Sequence, residues 1–243
     1  MIRYLFLNAF VGIHTFIFCL LAFLLCLFDR TGRLVHSYCA VPWARVILWI
    51  SGVKVRLWGQ ENVNQGMPYV FMSNHQSYFD ILALLASMPA GFKFIVKQEL
   101  MRIPFFGFAM KGAGYIGIER KDHRKAIKSM DRAAEKIKSG VSVLIFPEGT
   151  RGTDGRLQEF KRGGFMLALK SGCDIVPVTI NNSYRIVPRG SLSVNRGIID
   201  LFIDRPIPVG SYTRKNVGEI MVQVREKMLS HMESNISSGK ETE

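Results

Sequence analysis

The sequence predicts an α/β protein in which a mixed, mostly buried sheet is flanked by helices and preceded by an N-terminal hydrophobic two-helix membrane motif. Three observations support this prediction: an apolar run without formal charge over residues 4–28, an alternation of short apolar runs with helical patterns after Gly52, and a length of 243 residues, which is enough for one substantial domain and an appendage. We therefore expect membrane-associating helices over residues 1–52, one folded domain over 53–234 and a disordered tail over 235–243.

The N-terminal apolar run is long enough to cross a bilayer core or to lie deep in one leaflet, because about 20 apolar residues suffice for a span. It is too long for the apolar part of a cleaved signal peptide, and no small-residue cleavage site follows it. A second apolar helix is predicted over residues 34–51, where Trp43 and Trp49 flank Arg45 in a mixture that suits a membrane interface. Whether the pair forms a span with an interfacial helix or a hairpin in one leaflet stays open.

After Gly52 the chain alternates between apolar runs of strand length and longer segments of helical periodicity, which is typical of an α/β sandwich. The first run, VKVRLW, alternates apolar and polar residues with a period of two. Candidate strands are residues 53–58, 68–72, 92–96, 114–118, 141–146, 174–180 and 198–204. Candidate helices are residues 78–88, 124–139, 163–171 and 214–234.

The formal net charge of +13 and the pI of about 9.8 favour an anionic partner. Lysine and arginine are scattered without the dense basic run of a nucleic-acid-binding tail, so we expect anionic membrane lipid as the partner and no nucleic acid. The four cysteines form no close CxxC pair. Their spacing argues against a zinc site or a disulfide framework and is typical of a reducing compartment, so we expect no bound metal.

The first segment whose polar residues differ from the pattern of a buried core is NHQSYFD, residues 74–80, which follows a candidate strand. His75 and Asp80 are separated by about 140° on a continuous helix, so they can touch only if His75 lies in a loop and Asp80 in the first helical turn. Ser77 and Asp80 match a capping box, which predicts a helix from Tyr78. A neutral imidazole oriented by a carboxylate is a competent general base. Alternatively, Asp80 only caps the helix and His75 is an ordinary loop residue.

Three further segments place cations beside strand ends or helix starts. In FPEGTRG (146–152), Gly149 lets the backbone approach a ligand and Arg151 offers a bidentate fork for phosphate. GYIGIER ends in Arg120, and FKRGG places Lys161 just before a predicted helix whose N-terminus attracts anions. A strand-ending turn with solvated surface charges is the alternative interpretation of these segments.

Several common enzyme motifs are absent from the sequence or misplaced in it. GAGYIG, residues 112–117, has the spacing of a dinucleotide-binding loop, but its glycines precede an apparent strand instead of opening a helix. The sequence contains no GxSxG, HExxH or GxxxxGK[ST] motif, which weakens assignments to the serine hydrolases, zincins and P-loop NTPases.

Four segments, in order along the chain, resemble the four motif blocks of the glycerolipid acyltransferase family. They are NHQSYFD (74–80), GYIGIER (114–120), FPEGTRG (146–152) and VPVTI (176–180). The first matches the family's NHxSxxD pattern in full, whereas Glu119 and Gly152 stand where the family more often has aspartate and serine. The resemblance covers residues 50–210, and the hydrophobic N-terminal pair also suits bacterial members.

The resemblance implies a role for each matching residue. His75 would be the general base and Asp80 its orienting partner, while Arg120 and Arg151 would bind the phosphate of the acceptor. The remaining implied site residues are Glu148 and Gly149, which shape the phosphate pocket, Lys161 as a further phosphate ligand, and Pro177 as support for the site.

The resemblance also implies an activity, the transfer of a fatty acyl group to the free hydroxyl of 1-acyl-glycerol 3-phosphate (lysophosphatidate), forming phosphatidic acid. The acyl donor would be acyl-CoA or acyl carrier protein. If residues 4–28 span the cytoplasmic membrane, Arg30, Arg33 and the basic domain beyond them favour a site on its cytoplasmic side. No cofactor is expected, and the protein needs no covalent nucleophile if the acceptor brings its own hydroxyl. Lys97, which ends an apolar strand, is a candidate for stabilising the oxyanion. Candidate acyl-chain contacts, equally suited to the core, are Leu82, Leu85, Phe105, Phe106, Phe108 and Met110.

Other functions stay open at this point. Glycerol 3-phosphate or another lysophospholipid could be the acceptor through the same chemistry, and water as the acceptor would make the protein a hydrolase. A membrane-anchored binder of anionic lipid or nucleic acid without catalysis would explain the charge and the apolar N-terminus. That function would leave His75 and Asp80 unused.

Overall fold

The computed structural model describes residues 2–119, 122–152, 154–187 and 193–238. The helices within these ranges are α1 (Ile2–Cys26), α2 (Arg33–Val35), α3 (Val41–Ser51), α4 (Phe79–Ser87), α5 (Phe106–Gly112), α6 (His123–Lys138), α7 (Arg162–Ser171), α8 (Ser183–Ile186) and α9 (Val217–Ser238). The strands are β1 (Val53–Trp58), β2 (Val70–Ser73), β3 (Lys93–Lys97), β4 (Ile116–Ile118), β5 (Val143–Ile145), β6 (Ile175–Asn181) and β7 (Gly197–Ile203). A π-helical turn, His36–Ala40, joins α2 to α3.

The strands form one mixed sheet in the order β1-β7-β6-β2-β5-β3-β4. Strands β6, β2, β5, β3 and β4 run parallel to one another, and β7 pairs antiparallel with β6 and parallel with β1. Every residue of β2 and β6 is buried, as expected for parallel strands covered on both faces. The predicted α/β architecture is confirmed. Its parallel central strands all end at the same edge of the sheet.

Two apolar layers cover the sheet. On one face, Leu48 of α3 and Leu84 of α4 belong to the same buried apolar cluster as Phe71 of β2. On the other face, α6, α7 and α9 contribute the fully buried side chains of Ile137, Phe165 and Val224. Burying large apolar side chains on both faces supplies the main driving force for folding this domain.

The N-terminal helix α1 lies against the outside of this domain and exposes most of its apolar surface. By length and composition, residues 5–26 could cross a membrane. On its inner side, Phe16 packs edge-on against Phe105, and Thr15 accepts a hydrogen bond from the indole of Trp43 at 3.0 Å. The two-helix motif is confirmed only in part, because α3 buries one side in the core and exposes chiefly Trp49, at 79%.

A polar turn fastens α1 to the main domain. The Asp29 carboxylate caps α2 by accepting hydrogen bonds from the backbone N–H groups of Gly32 and Leu34, at 2.9 and 2.6 Å. The Lys93 amine at the start of β3 donates to the carbonyl of Gly32 at 2.7 Å. Gly32 has a φ of +72°, and a Cβ atom there would lie 2.5 Å from the backbone carbonyl carbon of Ala113. Only glycine fits this close approach.

Some boundaries differ from the sequence prediction. Helix α5 was not predicted, since it has seven residues and follows Phe105, whose φ is +57°. Strand β5 ends at Ile145, before Phe146, because the chain turns there into a loop. Helix α9 continues to Ser238, so the predicted tail boundary at residue 234 lies inside a helix. The rest of that tail, residues 239–243, lies outside the described ranges.

We predict that Gly32→Ala destabilises the protein more than Gly172→Ala. Both glycines have positive φ, +72° and +69°, so each alanine incurs a similar backbone cost of about 1–2 kcal/mol. The alanine at position 32 also collides with the backbone of Ala113, whereas no atom lies within 4 Å of a Cβ at position 172. Denaturant unfolding of both variants in one detergent measures the difference. Equal losses of unfolding free energy would contradict the docking of the turn.

Candidate functional site

The site lies in the loop between β2 and α4, at the edge where the parallel strands end. The Asn74 side chain fixes the start of this loop, because its amide donates to the carbonyl of Ile180 at 2.8 Å and accepts the N–H of Ile180 at 2.7 Å. These two hydrogen bonds fix the start of the β2–α4 loop to strand β6. The next residue, His75, lies beyond the last strand residue and before the helix.

His75 and Asp80 are in contact. Nδ1 of His75 lies 2.7 Å from Oδ2 of Asp80, with His75 in the loop and the fully buried Asp80 in the first turn of α4. The same oxygen accepts the backbone N–H groups of Gln76 at 2.6 Å and Ser77 at 2.8 Å. The predicted capping box is present only in part, because the Ser77 N–H bonds Asp80 but Ser77 Oγ accepts the N–H of Phe79, at 3.3 Å, in place of that of Asp80, and α4 begins one residue later than expected.

This contact determines which ring nitrogen of His75 is available. An ionised carboxylate only accepts hydrogen bonds, so Nδ1 must carry the proton and Nε2 is left with its lone pair. The ring also stacks on Phe146, with centroids 3.9 Å apart and planes at 14°. The imidazole is thus held at one edge and across one face. Its side chain is 14% exposed, so it stays accessible to a substrate.

Glu148 braces the backbone of the same loop. It is only 2% exposed, its Oε1 accepts the N–H of His75 at 2.7 Å and its Oε2 accepts the N–H of Gln158 at 3.0 Å. Both oxygens are engaged with backbone donors, and a carboxylate repels phosphate. These bonds place Glu148 as a support of the loop backbone, and its predicted part in shaping the phosphate pocket stays a prediction.

Burial raises the pKa of Glu148 to about 7, even though the two N–H groups stabilise its charged form. The negative charge of Asp80 raises the pKa further, and the positive charge of Arg225 lowers it. The folded protein thus binds a proton at Glu148 more tightly than an exposed carboxyl does, whose ordinary value is 4.5.

We predict that this carboxyl reduces stability as the pH rises from about 4.5 to about 7. Within this window the unfolded chain loses the proton while folded Glu148 keeps it, so rising pH favours unfolding by up to roughly 3 kcal/mol. Denaturant unfolding of the wild type and Glu148→Gln at several pH values measures the effect. The free energy of unfolding of the wild type, relative to that of Glu148→Gln, should decrease between pH 4.5 and pH 7 and stay constant above pH 7. A constant difference would contradict the raised pKa.

The loop after β5 carries the predicted phosphate-binding residues. Gly149, with a φ of +74°, donates its N–H to the carbonyl of Phe146 at 3.0 Å and turns the chain back. Lys161 packs beside this turn, since a Cβ on Gly149 would lie 3.2 Å from its amine. The guanidinium of Arg151 lies 3.5 Å above the ring of Tyr78, a cation–π contact that orients it. Sequence reasoning missed Tyr78 and Phe146, although both lie within the motif segments.

Arg120, the other predicted phosphate ligand, lies outside the described residues. Pro177 lies in the interior of β6 beside Met72 of β2 and is part of the supporting sheet. Lys97 ends β3 and faces the same cavity as His75. Among the residues that the structure describes, no group of three or more His, Cys, Asp or Glu side chains could hold a metal ion.

A cavity of about 690 Å³ connects the site to the N-terminal helix. His75 and Arg151 lie on its wall, together with Leu7 and Val11 of α1. Four of the candidate acyl-chain contacts line it, namely Leu82, Leu85, Phe106 and Met110. The other two candidates, Phe105 and Phe108, instead pack on the aromatic rings of Phe16 and Phe23 of α1. Sequence reasoning did not predict that α1 forms part of this wall.

Comparison with known proteins gives consistent matches. A family model described as Acyltransferase matches residues 54–181. The chloroplastic 1-acyl-sn-glycerol-3-phosphate acyltransferase BAT2 of Brassica napus is 40% identical over 183 residues, covering 74% of this chain and 53% of that protein. The 1-acyl-sn-glycerol-3-phosphate acyltransferase of Saccharomyces cerevisiae is 31% identical and covers 86% of this chain and 70% of the yeast protein. The chain spans about half the length of the chloroplastic relatives.

The structure is also similar to a solved one, the crystal structure of the 1-acyl-sn-glycerophosphate (LPA) acyltransferase PlsC from Thermotoga maritima. The TM-score is 0.80, and the match covers 96% of this chain and 94% of the other. Sequence identity is 24%, so this likeness establishes a common fold.

Proposed function

Because the chain belongs to the acyltransferase family, we propose that it transfers a fatty acyl group from an acyl thioester to the free hydroxyl of 1-acyl-glycerol 3-phosphate, forming phosphatidic acid. The observation that carries this proposal is the His75–Asp80 pair, which opens into an apolar cavity beside Arg151. The names of relatives between 28% and 40% identical support the choice of acceptor.

His75 acts as the general base in this reaction. Its free Nε2 takes the proton from the acceptor hydroxyl as the oxygen attacks the carbonyl carbon of the thioester. The new C–O bond forms, the C–S bond breaks, and the departing thiolate receives the proton from the imidazolium. Asp80 stabilises the imidazolium and keeps the ring in the required tautomer. The acceptor supplies the nucleophile, so neither a covalent enzyme intermediate nor a cofactor is part of the proposal.

The cations of the neighbouring loop hold the acceptor. Arg151 is oriented by Tyr78 and lines the same cavity as His75, which suits a bidentate grip on the phosphate of lysophosphatidate. Lys161, beside Gly149, adds positive charge to this loop, and we assign Arg120 to the same phosphate. Lys97, on the cavity wall at the end of β3, is our candidate for stabilising the oxyanion that develops on the thioester carbonyl.

The remainder of the cavity suits an acyl chain. Its walls are mainly apolar, and α1 forms one of them while exposing Phe6, Ile13 and Leu24 to the surroundings. A helix of this kind places the cavity next to the lipid phase in which the acceptor dissolves. We propose that the protein lies at the cytoplasmic membrane beside anionic lipid, with its site on the cytoplasmic side, and takes its acyl group from acyl-CoA or acyl carrier protein.

We predict that His75→Ala reduces acyl transfer by at least a hundredfold, because general base catalysis contributes roughly 100- to 10,000-fold. His231→Ala is the matched control, since His231 also faces a carboxylate, that of Asp204 at 3.3 Å, and also stacks on a phenylalanine. This control should keep near-normal activity. The assay offers purified protein lysophosphatidate, glycerol 3-phosphate or no acceptor, each with acyl-CoA and with acyl carrier protein.

Two results of that assay would contradict the proposal. Near-normal transfer by the folded His75→Ala variant would remove the assigned base. Release of free fatty acid by the wild type without any acceptor, in place of phosphatidic acid formation, would indicate a hydrolase.

We predict that Arg151→Gln raises the KM for lysophosphatidate by about tenfold or more, because a charge-assisted hydrogen bond contributes roughly 1.5–3 kcal/mol. The KM for the acyl donor should change little. Arg156→Gln on the same loop is the control, since Arg156 is 89% exposed and contacts only Asp154 at 3.9 Å among its ionic partners in the described residues. Steady-state kinetics with each substrate varied in turn make the comparison. An unchanged acceptor KM would exclude Arg151 from the phosphate site.

A further inference from the structure

Arg225 on helix α9 reaches across to the loop that follows the phosphate-binding turn. Its Nη1 donates to the carbonyl of Gln158 at 2.7 Å, and its Nη2 donates to the carbonyl of Leu157 at 3.1 Å. The guanidinium also lies 5.6 Å from the ring centroid of Phe160. We propose that Arg225 is a positioning residue, which holds the backbone of His75 in its reactive geometry from the helix layer on the other face of the sheet.

A short chain of hydrogen bonds connects the two residues. Gln158, whose carbonyl Arg225 holds, donates its own N–H to Oε2 of Glu148 at 3.0 Å. Oε1 of Glu148 accepts the N–H of His75 at 2.7 Å. One residue and one carboxylate therefore separate the guanidinium from the backbone of the base.

Two further hydrogen bonds connect the same loop to His75 and to its neighbour Gln76. Gly152 donates its N–H to the carbonyl of His75 at 2.8 Å, and the side-chain amide of Gln76 donates to the carbonyl of Gly155 at 2.9 Å. The N–H and the carbonyl of His75 are thus both bound by the segment that runs from Glu148 to Gln158. Asp80 orients the ring of His75, whereas this segment positions its backbone.

The segment needs an external support. Apart from residue 153, which lies outside the description, residues 151–160 contain no helix or strand. The segment is anchored by the carboxylate of Glu148, whose ionised form is disfavoured by burial and by the negative charge of Asp80. Arg225 counteracts both difficulties, because it binds two consecutive carbonyls and its positive charge favours ionised Glu148. A small displacement of a catalytic group can cost about a hundredfold in rate.

This inference rests on the proposed function, so its test has one arm that needs no activity. The variants are Arg225→Met, which keeps the apolar stem, Arg225→Lys, which keeps the charge, and Lys227→Met, an exposed cation on the same helix, as the control. Glu148→Gln is made alone and together with Arg225→Met. Each protein is checked by thermal unfolding, then by steady-state kinetics and by amide hydrogen exchange of the segments 74–80 and 148–160.

We expect Arg225→Met to lower kcat by about ten- to a hundredfold with little change in the KM for the donor, and Arg225→Lys to recover part of this loss. Lys227→Met should behave as the wild type. Adding Arg225→Met to Glu148→Gln should lower kcat little further, because Arg225 acts through Glu148. Exchange in both segments should accelerate in Arg225→Met and stay unchanged in Lys227→Met.

A normal kcat in Arg225→Met, or a loss that adds in full to that of Glu148→Gln, would overturn the inference. If Arg225→Met does not fold, Arg225→Lys decides, since a folded lysine variant with normal kcat and normal exchange would overturn it equally. A wild type without acyl transfer refutes the proposed function. The positioning of His75 is then tested by hydrogen exchange alone, and unchanged protection of residues 74–80 in Arg225→Met would contradict it.

Discussion

One carboxylate oxygen, Oδ2 of Asp80, organises the site by accepting three N–H groups at once, from the His75 ring and from the backbones of Gln76 and Ser77. A fully buried carboxylate is costly unless its charge is compensated by hydrogen bonds, and these donors compensate Oδ2, whereas Oδ1 is buried without a hydrogen-bond partner among the described residues. The bonds that begin α4 are thus the bonds that orient the imidazole. Capping of the helix start and orientation of the imidazole, which the sequence presents as alternatives, are here two consequences of one interaction.

The sheet makes this arrangement possible, because its parallel strands deliver the site segments to a common edge. β2 supplies the loop of His75 and the adjacent β5 supplies the turn with Glu148 and Arg151, while α1 walls the cavity from outside. Two buried carboxylates of one site repel each other, and both are held by backbone N–H groups. The packed layers on both faces hold them together. In our account the cavity joins this polar edge to the membrane, so a lipid acceptor can present its phosphate and its hydroxyl together.

The parts of the site carried by local motifs could be predicted from the sequence, because their geometry depends on neighbours within a few positions. The separation of His75 and Asp80 required a loop followed by a helix, and the structure has that arrangement. Contacts between distant segments left no comparable signal. Asn74 bonds to Ile180, and Arg225 bonds to Gln158, through one or two hydrogen bonds that leave no periodic pattern in the sequence. The hydrogen-bond partners of Glu148 could not be predicted for another reason, since a motif shows which residue is present and not what its oxygens bind.

The central claim is that Asp80 keeps the proton of His75 on Nδ1 and leaves Nε2 free to accept one. Nitrogen-15 NMR of the full-length protein in detergent, labelled at histidine and assigned by comparison with His75→Gln, reads the protonation of both ring nitrogens. For the neutral imidazole without substrates, the account predicts that Nδ1 of His75 is protonated and Nε2 is not. A proton on Nε2 with a bare Nδ1 would contradict it, because the basic nitrogen of the ring would then face Asp80 and not the acceptor.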